Sequence, residues 1–142
     1  MTHPEVHQGL EALAGLKETI RKLTRPAILL LVEDNDADVK LLEHSLLKFR
    51  IDLSTAANAK DAIRLFGTKQ YDVVLLDLVL GHESGLPVIE HIRRVTKAIP
   101  IIVLTGHPDD SPIANDAMAA GATCVFRKPM TESQLSLIFG AI

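Results

Sequence analysis

An aliphatic run, Ala27 to Val32, leads directly into Glu33 and Asp34, with Asp36 and Asp38 close behind. Clustered carboxylates repel one another and resist leaving water. Something must offset them: a helix N-terminus, a metal ion, or both. Three more short apolar runs end in side chains that can do chemistry. "DVVLLD" ends in Asp77, "PIIVLT" in Thr105, and "TCVFRK" in Lys128 ahead of Pro129. If these runs are parallel strands, their C-terminal ends share one rim of a sheet, the edge where ligands of open α/β sheets bind. That rim would carry the carboxylates of Glu33, Asp34 and Asp77, the Thr105 hydroxyl and the Lys128 ammonium.

Three carboxylates in one site do not all stay ionised unaided. A hard divalent cation relieves them, and Mg2+ suits a few carboxylates together with water and phosphate. An aspartate can also be a nucleophile that forms an acyl phosphate. Phosphoryl transfer needs positive charge and donors around the equatorial oxygens. Lys128 is a compact point charge for that purpose, and the Thr105 hydroxyl is a donor. Asp77 is the best nucleophile of the set, because it closes a central strand and precedes a loop with Gly81 and Gly85 whose N–H groups can face a phosphate.

The elements that must position these groups follow from periodicity. Strands are expected at 27–32, 51–56, 72–77, 100–105 and 123–128, and helices at 36–49, 59–68, 85–95, 111–121 and 131–142. The first and third strands are continuous apolar runs, as in strands buried on both faces. "IDLSTA" (51–56) alternates with period two, as in a half-exposed edge strand. Asn58, Ser111 and Thr131 are suited to cap helices, Pro87 and Pro112 fit first turns, and Gly121 fits a helix stop. Asp36 and Asp38 read as acids that cap and charge the second helix's N-terminus. Strict strand–helix alternation gives an α/β fold, a parallel sheet with helices on both faces.

Residues 1–25 stand apart as a helical extension, with 26–142 as the main domain. Leu13, Leu16, Ile20 and Leu23 form an amphipathic stripe, closed by Pro26. The stripe fits a helix lying on its own domain, the tail of a longer protein, or a dimerisation helix.

The chain has 142 residues and a net charge of −3, so it lacks the basic footprint of a nucleic-acid or membrane-surface binder. A single cysteine, Cys124, rules out an internal disulfide and reads as a small buried hydrophobe. There is no signal-peptide pattern and no apolar run of membrane-spanning length, so the cytoplasm is the expected compartment.

The chain from Ala27 to Ile142 resembles a response-regulator receiver domain of two-component signalling, the CheY-like family. "LLVEDN" resembles the acidic pair, "VVLLDLVLGHESG" the phosphoacceptor loop with its later glycine, "IIVLTG" the switch threonine, and "FRKP" the lysine–proline pair. The resemblance implies a flavodoxin-like (βα)5 sheet of order 2-1-3-4-5. It implies that Asp77 accepts a phosphoryl group from a histidine kinase or phosphotransfer protein. It implies Mg2+ held by Glu33, Asp34, Asp77 and the Val79 carbonyl, phosphoryl contacts from Thr105 and Lys128, and a cis Lys128–Pro129 bond. Such a domain catalyses only its own phosphorylation and dephosphorylation, and switches a protein-binding face made by the fourth helix, fifth strand and fifth helix of the repeat. A homodimer through that face or the N-terminal helix is an expected partner state, and the downstream protein target is not specified. No DNA-binding module is seen before Ile142, so the sequence fits either a single-domain regulator or a receiver excised from a hybrid histidine kinase.

Two positions depart from the pattern. The place three before the lysine, usually aromatic, is Val125, and Phe126 beside it should face the other side of the strand. Gly81 stands where proline is common, which should loosen that loop. Val79 and His107 flank the expected phosphoryl site. Rivals are a receiver-like scaffold that takes no phosphate, a phosphoaspartyl phosphatase and a flavin binder. The phosphatase would want an aspartate at position 79, and the acidic "EDNDAD" argues against a flavin phosphate loop.

Overall fold

The alternation of apolar runs and amphipathic stretches resolves into one sheet between two helical layers. A computed structural model describes residues 6–7, 10–106 and 111–140. In chain order the elements are β1 (Val6–His7), α1 (Leu10–Arg21), β2 (Ala27–Val32), α2 (Asp36–Leu46), β3 (Ile51–Ala56), α3 (Ala59–Phe66), β4 (Val73–Asp77), β5 (Val79–Leu80), β6 (Glu83–Ser84), α4 (Leu86–Val95), β7 (Ile101–Thr105), α5 (Ser111–Ala120), β8 (Cys124–Arg127) and α6 (Glu132–Phe139).

The main sheet runs β1-β8-β7-β4-β2-β3. Its five strands from β8 to β3 are parallel, in the expected 2-1-3-4-5 order of the flavodoxin-like fold. β1 is an addition: Val6 and His7 pair antiparallel with Phe126 and Val125 on the outer edge of β8.

Side chains alternate across the sheet, so each apolar run feeds two cores. Leu30, Val32, Val74, Leu76, Ile101 and Val103 face α3, α4 and α5 through Ala62, Val88, Ile89, Ile92 and Ala117. Leu29, Leu31, Val73, Leu75, Ile102 and Leu104 face the other layer, where Leu46, Leu135, Ile138 and Phe139 meet them. Val125 falls in the first core and Phe126 in the second, so the two do point to opposite faces.

Helix ends follow local chemistry. Asn58 Oδ1 accepts from Asp61 N at 2.8 Å, and Thr131 forms a reciprocal capping box with Gln134. Gly121 ends α5 with φ +121. α2 stops at Leu46, three residues short of the expected end, yet Phe49 still packs on Phe139 at 5.8 Å. The cap expected at Ser111 lies outside the described side chains.

The apolar stripe of α1 is used within the chain. Leu13 and Leu16 are buried in the second core, with Ile20 packed against it, and α1 lies along α6. A dimer through this stripe would first have to undock it. Leu13→Ala should therefore lower stability by about 2–4 kcal/mol, the ordinary cost of a buried leucine. Urea unfolding would show this, and an unchanged midpoint would mean that α1 is not docked in solution.

Candidate functional site

Strand order decides which side chains meet. β4 lies between β2 and β7, and β8 flanks β7, so the ends of these four strands share one rim. β3, at the far edge, contributes only small residues there. Among the described residues the buried polar or charged side chains are Glu33, Asp77 and Thr105, and all three stand on this rim. Buried polar groups need partners. Here the partner is chiefly Lys128, whose Nζ donates to Glu33 Oε1 at 2.8 Å, Asp77 Oδ2 at 2.9 Å and Asp38 Oδ2 at 3.1 Å.

Local folding aims each group. Lys128 N donates to Thr105 O at 2.7 Å, which extends the β7–β8 ladder one step past β8. The Lys128–Pro129 bond is cis. Asp77 Oδ1 accepts from Val79 N at 3.0 Å, which fixes the carboxylate against the start of the following loop. That loop is more ordered than the sequence suggests: β5 and β6 pair antiparallel as a ribbon, Val79 with Ser84 and Leu80 with Glu83. Gly81, expected to loosen the loop, instead supplies the positive φ (+64) its turn requires. At Gly85 a Cβ would sit 2.8 Å from the Asp77 carbonyl oxygen, so the chain can turn back past the acid only with glycine there.

The acidic pair is arranged by α2. Asn35, not Asp36 or Asp38, caps the helix: its Oδ1 accepts from Asp38 N at 3.0 Å. Glu33 Oε2 accepts from Asn35 N at 3.2 Å. The cap reading of Asp38 is thereby corrected. With the cap filled, its carboxylate turns to Lys128. Asp36 stays in the first turn, where its charge suits the helix dipole. Asp38 was missed because an acid three residues past a cap is ordinary helix chemistry. Its only other signal was proximity to Glu33 in the chain.

Carboxylate oxygens of Glu33, Asp34 and Asp77 lie within 4.8 Å of one another. Two of these acids are buried and one is exposed. Their donor set is all oxygen, which fits a hard divalent cation. The electrostatics point the same way. Burial, and then the neighbouring Asp77, push the Glu33 carboxyl up to about 7, against the pull of Lys128. Burial alone would lower the Lys128 ammonium, but its hydrogen bonds to Glu33, Asp77 and Asp38 hold it above its usual value. The site thus carries more negative charge than one lysine offsets. Cys124, fully buried, has its thiol pushed up to about 12 and takes no part. Val79 is half exposed beside the acids. His107 lies outside the described residues.

The Glu33 shift makes a stability prediction. The folded state keeps a proton on Glu33 up to about pH 7, whereas the unfolded chain releases it near 4.5. This contribution is fully present below the lower value and is lost as pH rises through the upper one. Without divalent cation, wild-type stability should fall between pH 5 and 7.5 more steeply than that of Glu33→Gln. Equal slopes in urea titrations of the two would show that Glu33 is not held protonated.

Beside Lys128 a groove of about 440 Å³ runs between α2 and the β8–α6 connection, with Leu41, Leu42, Ser45, Pro129 and Met130 among its walls. Leu41 is 54% exposed.

Comparison with known proteins agrees with this geometry. The model of the response regulator receiver domain matches residues 29–139. The transcriptional regulatory protein AfsQ1 of Streptomyces coelicolor is 32% identical over 130 residues, covering 80% of this chain and 57% of AfsQ1. The autoinducer 2 sensor kinase/phosphatase LuxQ of Vibrio harveyi is 31% identical over 137 residues, 95% of this chain but 15% of LuxQ. The chain therefore spans little more than half of one relative and a small part of the other. A crystal structure of a response regulator from Burkholderia pseudomallei with a phosphorylated aspartic acid, calcium ion and citrate superposes with a TM-score of 0.71 at 28% identity, covering 79% of this chain and 66% of that one. With a family match across most of its length, and the parallel sheet and strand-end side chains that the family's fold implies, the chain belongs to the response regulator receiver domains of two-component signalling.

Proposed function

We propose that this receiver takes a phosphoryl group onto Asp77 from a phosphohistidine of a histidine kinase or phosphotransfer protein. The observation that carries the reading is the convergence of Asp77, Glu33, Asp34 and Lys128 at one rim of the sheet. An Asp77 carboxylate oxygen attacks phosphorus, the P–N bond breaks, and the imidazole leaves and takes a proton from solvent. Lys128 stabilises charge on the phosphoryl oxygens, and the Thr105 hydroxyl at the end of β7 donates to another. Glu33, Asp34, Asp77 and the Val79 carbonyl would hold Mg2+. Bound there, it would offset the carboxylates and the phosphoryl charge. The phosphorylated aspartate and calcium ion named for the Burkholderia pseudomallei regulator support this assignment.

The apolar groove beside Lys128, with Leu41 exposed on its wall, supports docking of a phosphodonor protein there. We take 26–142 as the receiver unit and 1–25 as an extension whose helix α1 packs on it. The chain acts only on its own phosphorylation state and biases a protein-binding surface between two conformations. Val125 in place of an aromatic should give a readout on β8 that differs from the usual threonine–aromatic coupling. Among the described residues no helix is long and apolar enough to cross a membrane, and a cytoplasmic receiver meeting its kinase there is the setting we propose. The test is incubation with acetyl phosphate with and without Mg2+, read by intact mass. One added phosphoryl group that requires the cation is expected. No uptake under either condition would favour a scaffold that takes no phosphate.

A further inference from the structure

An ammonium has three N–H donors. In this site all three are taken, by Glu33, Asp77 and Asp38. For Lys128 to donate to a phosphoryl oxygen, one of these bonds must break. The three partners differ in how readily they can be released. The side chains of Glu33 and Asp77 are 3% and 7% exposed, so water cannot take the lysine's place at either in the resting site. Asp38 is 44% exposed and makes the longest of the three bonds, so water can replace the lysine there. Its alternative role is already filled: Asn35 caps α2, and the Asn35 N–H is taken by Glu33.

We propose that Asp38 is a positioning residue that holds the third N–H of Lys128 in the resting site and yields it to a phosphoryl oxygen as Asp77 is phosphorylated. The inference rests on the phosphoacceptor reading of Asp77. It has a signature in rates. Asp38 binds the lysine before transfer but no longer in the transition state or the acyl phosphate. It therefore opposes uptake and leaves hydrolysis untouched, because ground and transition states of hydrolysis both have Lys128 on the phosphoryl group. Asp38 acts through Lys128, so its effect needs the lysine.

The experiment measures uptake from acetyl phosphate with Mg2+, and loss of the phosphoryl group after donor removal. The proteins are wild type, Asp38→Asn, Asp38→Glu, Lys128→Met and the Asp38→Asn/Lys128→Met double variant. Asp38→Asn should take up phosphoryl about threefold faster, in the range of coupling between contacting residues, with its rate of loss unchanged. Asp38→Glu, which keeps the acid on the same helix face, should stay near the wild-type rate. It also keeps the test decisive if the asparagine variant folds poorly. In the Lys128→Met background Asp38→Asn should change nothing. The proposal is overturned by unchanged uptake in Asp38→Asn, by equal changes in uptake and loss, or by an effect that persists without Lys128. A wild-type protein that takes no phosphoryl group would instead overturn the phosphoacceptor reading, so the two failures are distinguishable.

Discussion

Asp77→Asn is expected to take up no detectable phosphoryl group from acetyl phosphate, a loss of at least about a hundredfold, because the substitution removes the attacking oxygen's charge while keeping its shape. The fold should survive, since the amide is isosteric and its one oxygen can still accept from Val79 N, giving up only the bond from Lys128. A second consequence separates chemistry from collapse. Asp77 is one of the groups that push the Glu33 carboxyl up, so neutralising it should bring Glu33 back toward its ordinary value. The fall in stability between pH 5 and 7.5 should become shallower. Full uptake by this variant would move the phosphoryl group to another residue.

Lys128→Met carries the other large effect. It keeps an apolar stem of similar reach and deletes the cation that joins three carboxylates. Uptake should fall about a hundredfold, the scale at which a positioned charge stabilises a transition state. Removing one partner from a buried ionic cluster also costs about 3 kcal/mol or more. Without divalent cation at neutral pH, the variant should therefore unfold at clearly lower urea. Acidification, which neutralises carboxylates, and added Mg2+ should each restore part of the loss. A variant as stable as wild type across that pH range would mean that Lys128 does not hold the cluster together in solution. The two substitutions thus act oppositely on the same electrostatic imbalance: one removes a surplus negative charge, the other the offsetting positive one.

Why so much of this was readable in the chain, and some was not, follows from what leaves a periodic trace. "AILLLV", "VVLLD" and "IIVLT" are apolar on both faces because each strand feeds two cores, and that continuity marks a central parallel strand. The meeting of Glu33, Asp34, Asp77, Thr105 and Lys128 at one rim was legible because each closes a strand or directly follows one. The opposite facing of Val125 and Phe126 followed from the two-residue repeat alone. β1 left no trace, since two residues have no period, and its partner strand is more than a hundred residues away. The β5–β6 ribbon was equally short, and Gly81 read as looseness when its positive φ is what the turn needs. Asp38 was hidden for a different reason. Its local helix role was chemically sufficient, and only the arrival of Lys128 from across the sheet showed that Asn35 had already taken that role. Local sequence resolves what local chemistry decides, and long-range pairing of single side chains is not of that kind.

The central claim is that the phosphoryl acceptor is the Asp77 carboxylate. An acyl phosphate is reduced by borohydride to the corresponding alcohol, which marks the modified acid permanently. Wild-type protein treated with acetyl phosphate and Mg2+, reduced and mapped by peptide mass spectrometry, should carry that mark at Asp77 alone. A mark at Asp34, Asp38 or any other acid, or phosphoryl uptake with no reducible acyl phosphate at all, would contradict the account.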